Sequence, residues 1–194
     1  GVGNYAFAVV IVSWFEILMN FGLNTFLIRD VARDRQNALG YLYGTSALRL
    51  GLGALAAPLV MLVIIYFTQF NAMTRETALT IVLLTLSQVP SSLSTGLSAL
   101  FFAYEKAEIP GSLTIISALL KIVIGSILLF SGAGIIGLAI TCLIVNLITL
   151  AILIVAARSV LRLTLHPPRT APMNRRAMLR ESFPLMLNHL LATL

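Results

Sequence analysis

Five runs of this sequence, 2–28, 41–67, 78–103, 111–130 and 134–157, are long and apolar enough to cross a bilayer, and no other feature limits the fold so tightly. Crossing the hydrocarbon core as helix takes about 20 predominantly apolar residues. A sixth run begins at Phe183. From there to residue 194 a helix covers ~18 Å, short of the ~30 Å core, so the chain is expected to stop within a crossing. Composition agrees. The chain is 59% apolar and 10% charged, where a soluble domain carries about 25% charge. That is too little charge to cover a wet surface, and too apolar for disorder.

The runs are expected to be helices. Strands of a membrane barrel alternate in polarity over about ten residues, and 57–67 does not alternate. In lipid, backbone amides must be satisfied within the segment itself, which an unbroken apolar run achieves as helix. The expected fold class is all-α: a polytopic transmembrane helix bundle of five full spans plus the start of a sixth.

Charge sets the direction. Arg29, Arg33 and Arg35 follow the first run, Lys106 follows the third, and Arg158, Arg162, Arg169, Arg175, Arg176 and Arg180 follow the fifth. The alternate loops hold only Arg75. Basic residues collect on the cytoplasmic side, so 29–40, 104–110 and 158–182 are expected to be cytoplasmic and Gly1 to lie outside. An outside start implies one more helix before residue 1. The organisation expected is a bundle over 1–157, a basic linker over 158–182 broken by Pro167, Pro168 and Pro172, and the start of another span over 183–194. The net charge of +6 then reflects cytoplasmic loops and anionic membrane lipids. Nucleic acid is not an expected partner, because Asp30 and Asp34 interrupt the Arg29–Arg35 cluster, which reads as a short amphipathic segment on the inner leaflet.

Three charges lie inside runs: Glu16, Arg49 and Lys121. Each costs about 2.5–3.5 kcal/mol at mid-membrane unless paired or wetted. Helical spacing puts Asn20 and Asn24 on the face of Glu16. It puts Ser117 and Gly125 with Lys121, with Thr114 a turn beyond, and Thr45, Ser46 and Gly53 with Arg49. The third run carries Gln88, Ser91, Ser92, Thr95 and Ser98 around Pro90, and the fifth carries Asn146 and Thr149. Two readings stand. These residues are packing devices that hydrogen-bond helix to helix, with Glu16 neutralising a neighbouring cation. Or they line an amphiphilic cavity for a polar or anionic substrate, Pro90 being either a gating kink or an ordinary membrane-helix proline.

No catalytic or metal set is expected. His166 and His189 lack a second ligand one helical turn away, no phosphate-binding glycine-lysine loop appears, and Gly51, Gly53, Gly132, Gly134 and Gly137 read as packing or turn residues. Cys142 is alone in an apolar run and reads as a small buried hydrophobe. The expectation is a non-enzyme without cofactors.

The stretch 20–34, Asn-Phe-Gly-Leu-Asn-Thr-Phe-Leu-Ile-Arg-Asp-Val-Ala-Arg-Asp, resembles the second-helix exit of prokaryotic polysaccharide biosynthesis membrane proteins, the oligosaccharide flippases of the MOP superfamily. Residues 1–7, Leu48-Arg49-Leu50, Phe102-Ala103-Tyr104-Glu105-Lys106 and Arg180-Glu181-Ser182-Phe183-Pro184 resemble further motifs of that family in order. The chain then matches helices two to six and the start of seven, most of the first of two lobes. The resemblance implies flipping of a lipid-linked oligosaccharide, such as an O-antigen unit, from the inner to the outer leaflet of the inner (plasma) membrane by ion-driven alternating access. It also implies polysaccharide polymerase and glycosyltransferases as partners. The expected substrate cavity is Glu16, Asn20, Asn24, Arg29, Arg49, Gln88, Ser91, Ser117 and Lys121, with the cations for pyrophosphate, the amides and hydroxyls for sugar, and Glu16 for ion coupling. The alternatives are a related drug or cation exporter, which favours acidic cavities, and a non-transport scaffold of glycan assembly.

Overall fold

The computed structural model describes residues 2–20, 22–69 and 74–160. Their regular structure is helical: α1 (Val2–Asn20), α2 (Leu23–Arg33), a 3-10 turn (Arg35–Asn37), α3 (Ala38–Gln69), α4 (Arg75–Ala103), α5 (Glu108–Phe130) and α6 (Gly134–Val160). The rest of the basic linker, both histidines and the expected sixth span lie outside the described residues.

Four helices are long and apolar enough to cross a membrane: α3 over Ala38–Phe67, then α4, α5 and α6. They coincide with the second to fifth expected spans. The first expected span is corrected. It is not one helix, because Gly22 takes a left-handed conformation, φ 67° and ψ 5°, which glycine adopts without a Cβ clash. The chain turns there, and α2 restarts with Phe26 N–H on Gly22 O at 3.4 Å. α1 keeps the apolar core Ala6–Ile17. α2 is amphipathic: Leu23, Phe26, Leu27 and Val31 are buried at helical spacing, while Arg29 and Arg33 are exposed.

Two matching turns reverse the chain. After α5, Gly132 N–H bonds Leu129 O and Ala133 N–H bonds Leu128 O, both at 3.1 Å, with Gly132 at φ 83°. This paired closure requires a left-handed residue just past the helix. After α4 the same pattern joins Glu105 to Phe102 and Lys106 to Phe101, but the left-handed residue is Glu105, φ 61°.

α2 runs on in the direction of α1, and from α3 to α6 the helices alternate in direction. At one end Tyr104 Oη donates to Arg35 O at 3.3 Å and Lys106 Nζ to Val160 O at 3.4 Å, so the α2 exit, the α4–α5 turn and the end of α6 meet. At the other end the Phe7 and Phe67 rings stand 5.4 Å apart, edge to face. The described basic segments thus gather at one end, as the charge pattern predicted. The interior has two apolar clusters. One, toward the basic end, holds Leu27, Val31, Leu42, Leu100, Phe101 and Leu153. The other holds Val12, Phe15, Met19, Val60, Ile64, Ile81 and Leu84.

α4 is the central helix and packs on α1, α2, α3 and α6, most extensively on α6. α5 is held chiefly by α6 and hardly touches α4. Gly137 permits this docking: a Cβ there would stand 3.2 Å from Leu128 Cβ of α5.

Candidate functional site

Between the two apolar clusters α4 carries Ser87, Gln88, Ser91, Ser92, Ser94, Thr95 and Ser98. At 3.6 residues per turn these positions run round the helix instead of forming one stripe. Each sector meets a different neighbour.

Toward α3 lies Arg49, wholly buried. It falls on the inward stripe of α3, where Leu42, Thr45, Ala56, Val60 and Ile64 are also buried. Nη1 donates to Ser92 O at 2.6 Å, and Nη2 donates to Asn24 Oδ1 in α2. The guanidinium passes over Gly96, where a Cβ would stand 3.6 Å from Nη1. Nε of Arg49 and Oδ1 of Asn20 are both buried without a hydrogen-bond partner among the described residues. One side chain thus ties α2, α3 and α4 together, and its planar fork suits two acceptors at once.

Toward α1, Gln88 Nε2 donates to Glu16 Oε2 at 3.3 Å, on an exposed face. Toward α6, Asn146 Nδ2 donates to Ser87 O at 3.2 Å. Pro90 lies buried within an α4 that continues through it. Lacking N–H, it cannot bond the carbonyl one turn back, and the side-chain bonds from α3 and α6 fall on either side of it.

Toward α5 the gap opens into a groove of about 340 Å³ between α4, α5 and α6. Lys121 and Ser117 of α5, Ser91, Ser94, Thr95 and Ser98 of α4, and Asn146 and Thr149 of α6 line it. Phe102, Pro110 and Gly111 lie at its end nearest the α4–α5 turn.

The nine expected site residues therefore do not share one cavity. Asn24 and Arg49 form a buried clasp, Glu16 and Gln88 an exposed pair, and Ser91, Ser117 and Lys121 part of the groove. Asn20 is half-buried at the end of α1. Arg29 stands apart at the basic end, 2.9 Å from Asp30 and 5.6 Å above the Phe26 ring. Glu16, Arg49 and Lys121 form no ion pair with one another among the described residues. Sequence reasoning missed Ser94, although its spacing from Ser91 and Ser98 places all three on one helical face. It also missed the carbonyls of Ser87 and Ser92, which residue identity does not reveal. Among the described residues no group of three or more His, Cys, Asp or Glu is placed to hold a metal.

An apolar helix bundle with a polar belt at mid-depth and a polar groove reaching into it is a multi-pass membrane protein with the build of a transporter. The sequence pattern of one family, described as polysaccharide biosynthesis protein, matches residues 1–194, and the chain belongs to that family. Its place is accordingly in membrane transport for polysaccharide biosynthesis. No curated protein and no solved structure matches the chain significantly.

Proposed function

We propose that the protein flips a lipid-linked oligosaccharide, a polyprenyl-pyrophosphate glycan, from the inner to the outer leaflet of the inner (plasma) membrane by alternating access. An ion gradient would drive the cycle. The observation that carries this reading is that Glu16 and Lys121 are unpaired with each other and face open polar surface. A membrane-embedded charge costs about 2.5–3.5 kcal/mol. A bundle needing only cohesion would recover that by pairing the two, whereas a transporter keeps them for a hydrated passenger. Glu16, bridged by Gln88, is the candidate coupling carboxylate. Lys121 is the candidate cation for an anionic passenger, and the hydroxyls beside it suit sugar. Arg49 is assigned to holding the bundle, since both ends of its fork are occupied. The basic end is the cytoplasmic one under this reading, so glycosyltransferases would supply the glycan there and a polymerase would receive it outside.

The test is export of surface polysaccharide by cells carrying the full-length protein. Glu16→Gln and Lys121→Gln are each expected to cut export at least about tenfold, the change expected from about 1.4 kcal/mol, with lipid-linked glycan accumulating at the inner leaflet. Ile122→Ala, on the exposed apolar face of α5, is the control and should export normally. Parental export by both charge variants, at parental protein levels, refutes the reading.

A further inference from the structure

We infer that the groove between α4, α5 and α6 is a subsite for an acidic sugar ring, one that offers several hydroxyls and a single carboxylate. The inference rests on the flippase reading and adds which part of the glycan is held in this lobe and where.

The hydrogen bonds of the lining fix what a ligand must bring. The hydroxyl protons of Thr95, Thr114 and Ser117 are already spent on their own helices, at 2.9, 2.8 and 2.9 Å from the carbonyls of Ser91, Pro110 and Thr114. Such a hydroxyl turns only its oxygen toward the groove, so it accepts and does not donate. Asn146, with Nδ2 on Ser87 O, keeps its Oδ1 as a further acceptor. The ligand must therefore bring donors for these oxygens and acceptors for Lys121, Ser94 and the second Asn146 N–H, as a ring with several hydroxyls does. Ser94 gives an independent sign. It lines the groove, is 8% exposed, and its Oγ is buried without a hydrogen-bond partner among the described residues. A buried hydroxyl left unbonded costs about 1–3 kcal/mol, which a ligand hydroxyl or carboxylate oxygen would recover.

Charge sets the remaining requirement. Among the described residues Lys121 is the one cation lining the groove, and no carboxylate lines it. Arg49, the other cation in the belt, is committed to Ser92 and Asn24. The helical amides here are used within their own helices. One ammonium balances one negative charge. A phosphate or pyrophosphate would carry a second into the membrane interior uncompensated, at a cost of several kcal/mol. A carboxylate matches. The groove runs from Gly111, near the α4–α5 turn, to Lys121 about 15 Å further along α5, and its 340 Å³ falls at the small end of ligand sites, about 300–1,000 Å³. It fits a sugar unit or two, not a whole oligosaccharide.

The chain has two lysines, Lys106 and Lys121, so lysine reactivity reports the site with an internal reference. The full-length protein in lipid nanodiscs is treated with a small acylating reagent, and both lysines are followed by peptide mass spectrometry. Glucuronate at about twice its Kd should slow Lys121 acylation roughly threefold, the factor 1 + [L]/Kd, and leave Lys106 unchanged. Glucose and inorganic phosphate should each protect far less. Ser94→Ala and Ser117→Ala, which remove an oxygen and little volume, should each weaken protection by glucuronate. Equal protection by phosphate would make this a bare anion site and overturn the inference. Equal protection by glucose would remove the carboxylate from it and do the same. A Lys121 that is unprotected, or inert to the reagent from the start, also overturns it. If protection fails while Glu16→Gln still abolishes export, the subsite falls and the flippase reading stands. If protection holds while the charge variants export normally, the reverse is true.

Discussion

Replacing Arg49 separates a clasp from a substrate contact. The guanidinium makes two charge-assisted hydrogen bonds, to Ser92 O and Asn24 Oδ1, from a fully buried position. At roughly 1.5–3 kcal/mol each, they contribute about 3–6 kcal/mol. Against that stands the cost of holding a cation out of water, several kcal/mol. In Arg49→Ala both effects vanish, but a hole remains in the stripe between the two apolar clusters. Large-to-small replacements cost about 2–5 kcal/mol, so the net loss should be near that range. Arg49→Met fills the hole and discards charge and bonds together, and its stability should lie within about 1 kcal/mol of the parent. For a chain of this size 1 kcal/mol moves Tm by about 2–4 °C, so alanine should lower it by roughly 4–20 °C and methionine by less than about 4 °C. Thermal unfolding in detergent can be followed with a thiol-reactive fluorophore on Cys142, the one cysteine, half-buried in α6 beside the apolar cluster of Phe15 and Ile81. A double-mutant cycle sharpens the test. Asn24→Leu alone strands Nη2 in the interior and should cost about 1–3 kcal/mol. Added to Arg49→Met it should cost little, giving a coupling of at least about 1 kcal/mol. The Met variant should also keep export. Additive losses, or a Met variant as unstable as the Ala variant, would refute the clasp. A stable Met variant without export would return Arg49 to the substrate.

Other outcomes follow from the same geometry. Glu105→Gly should stabilise by about 1 kcal/mol, because it relieves a left-handed non-glycine residue and gives up only an exposed Arg35 pair at 3.5 Å worth ~0–1 kcal/mol; chemical denaturation in mild detergent reads it. Gly22→Ala should cost about 1–2 kcal/mol by the same steric rule, seen as a lower Tm. Gly137→Ala would place a Cβ 2.8 Å from Ala133 Cβ and 3.2 Å from Leu128 Cβ, and this overpacking should cost roughly 1–3 kcal/mol in the same melt. In a cysteine scan with a membrane-impermeant thiol reagent, Glu16→Cys and Ser117→Cys should react and Thr45→Cys, on the buried stripe, should not; equal protection of all three would remove the open polar surfaces on which the transport reading stands.

The spans were legible because a long apolar run has one solution in lipid, and the end carrying the basic segments followed from Arg and Lys counts alone. The break in the first span was not. Hydropathy averages over some 20 residues, while Gly22 needs one residue and one positive φ to end a helix. The turns show the same limit. Gly132 announces its left-handed position, but Glu105 holds the equivalent one after α4 with no signal in its side chain. For the site, helical spacing put Thr45 with Arg49 and Ser117 with Lys121, as the structure does, but it also put Asn24 with Glu16, and the break at Gly22 moves Asn24 onto another helix. Nor did spacing say which helix each face would meet. Glu16 meets Gln88, Arg49 meets Asn24 and a carbonyl, and Lys121 hydrogen-bonds to no acid or amide among the described residues, because α5 stands off from α4.

That distribution has a mechanical consequence. Glu16, Arg49 and Asn146 each reach α4 within about one and a half helical turns of Pro90, from three different helices. α5, carrying Lys121, is left with few contacts to α4 and depends on α6, where Gly137 permits close approach and Gly125 faces Leu138. An element with few cross-contacts is the one that moves at least cost. The groove wall bearing Lys121 is therefore the compliant part, and α4 with its three side-chain ties is the fixed frame. Loss of a tie should loosen the whole bundle, whereas substitutions at the α5–α6 contact should change access to Lys121 first. Lysine acylation and Tm measured on the same variants distinguish these two responses: Gly125→Ala should alter Lys121 acylation more than Tm, and Asn146→Leu the reverse.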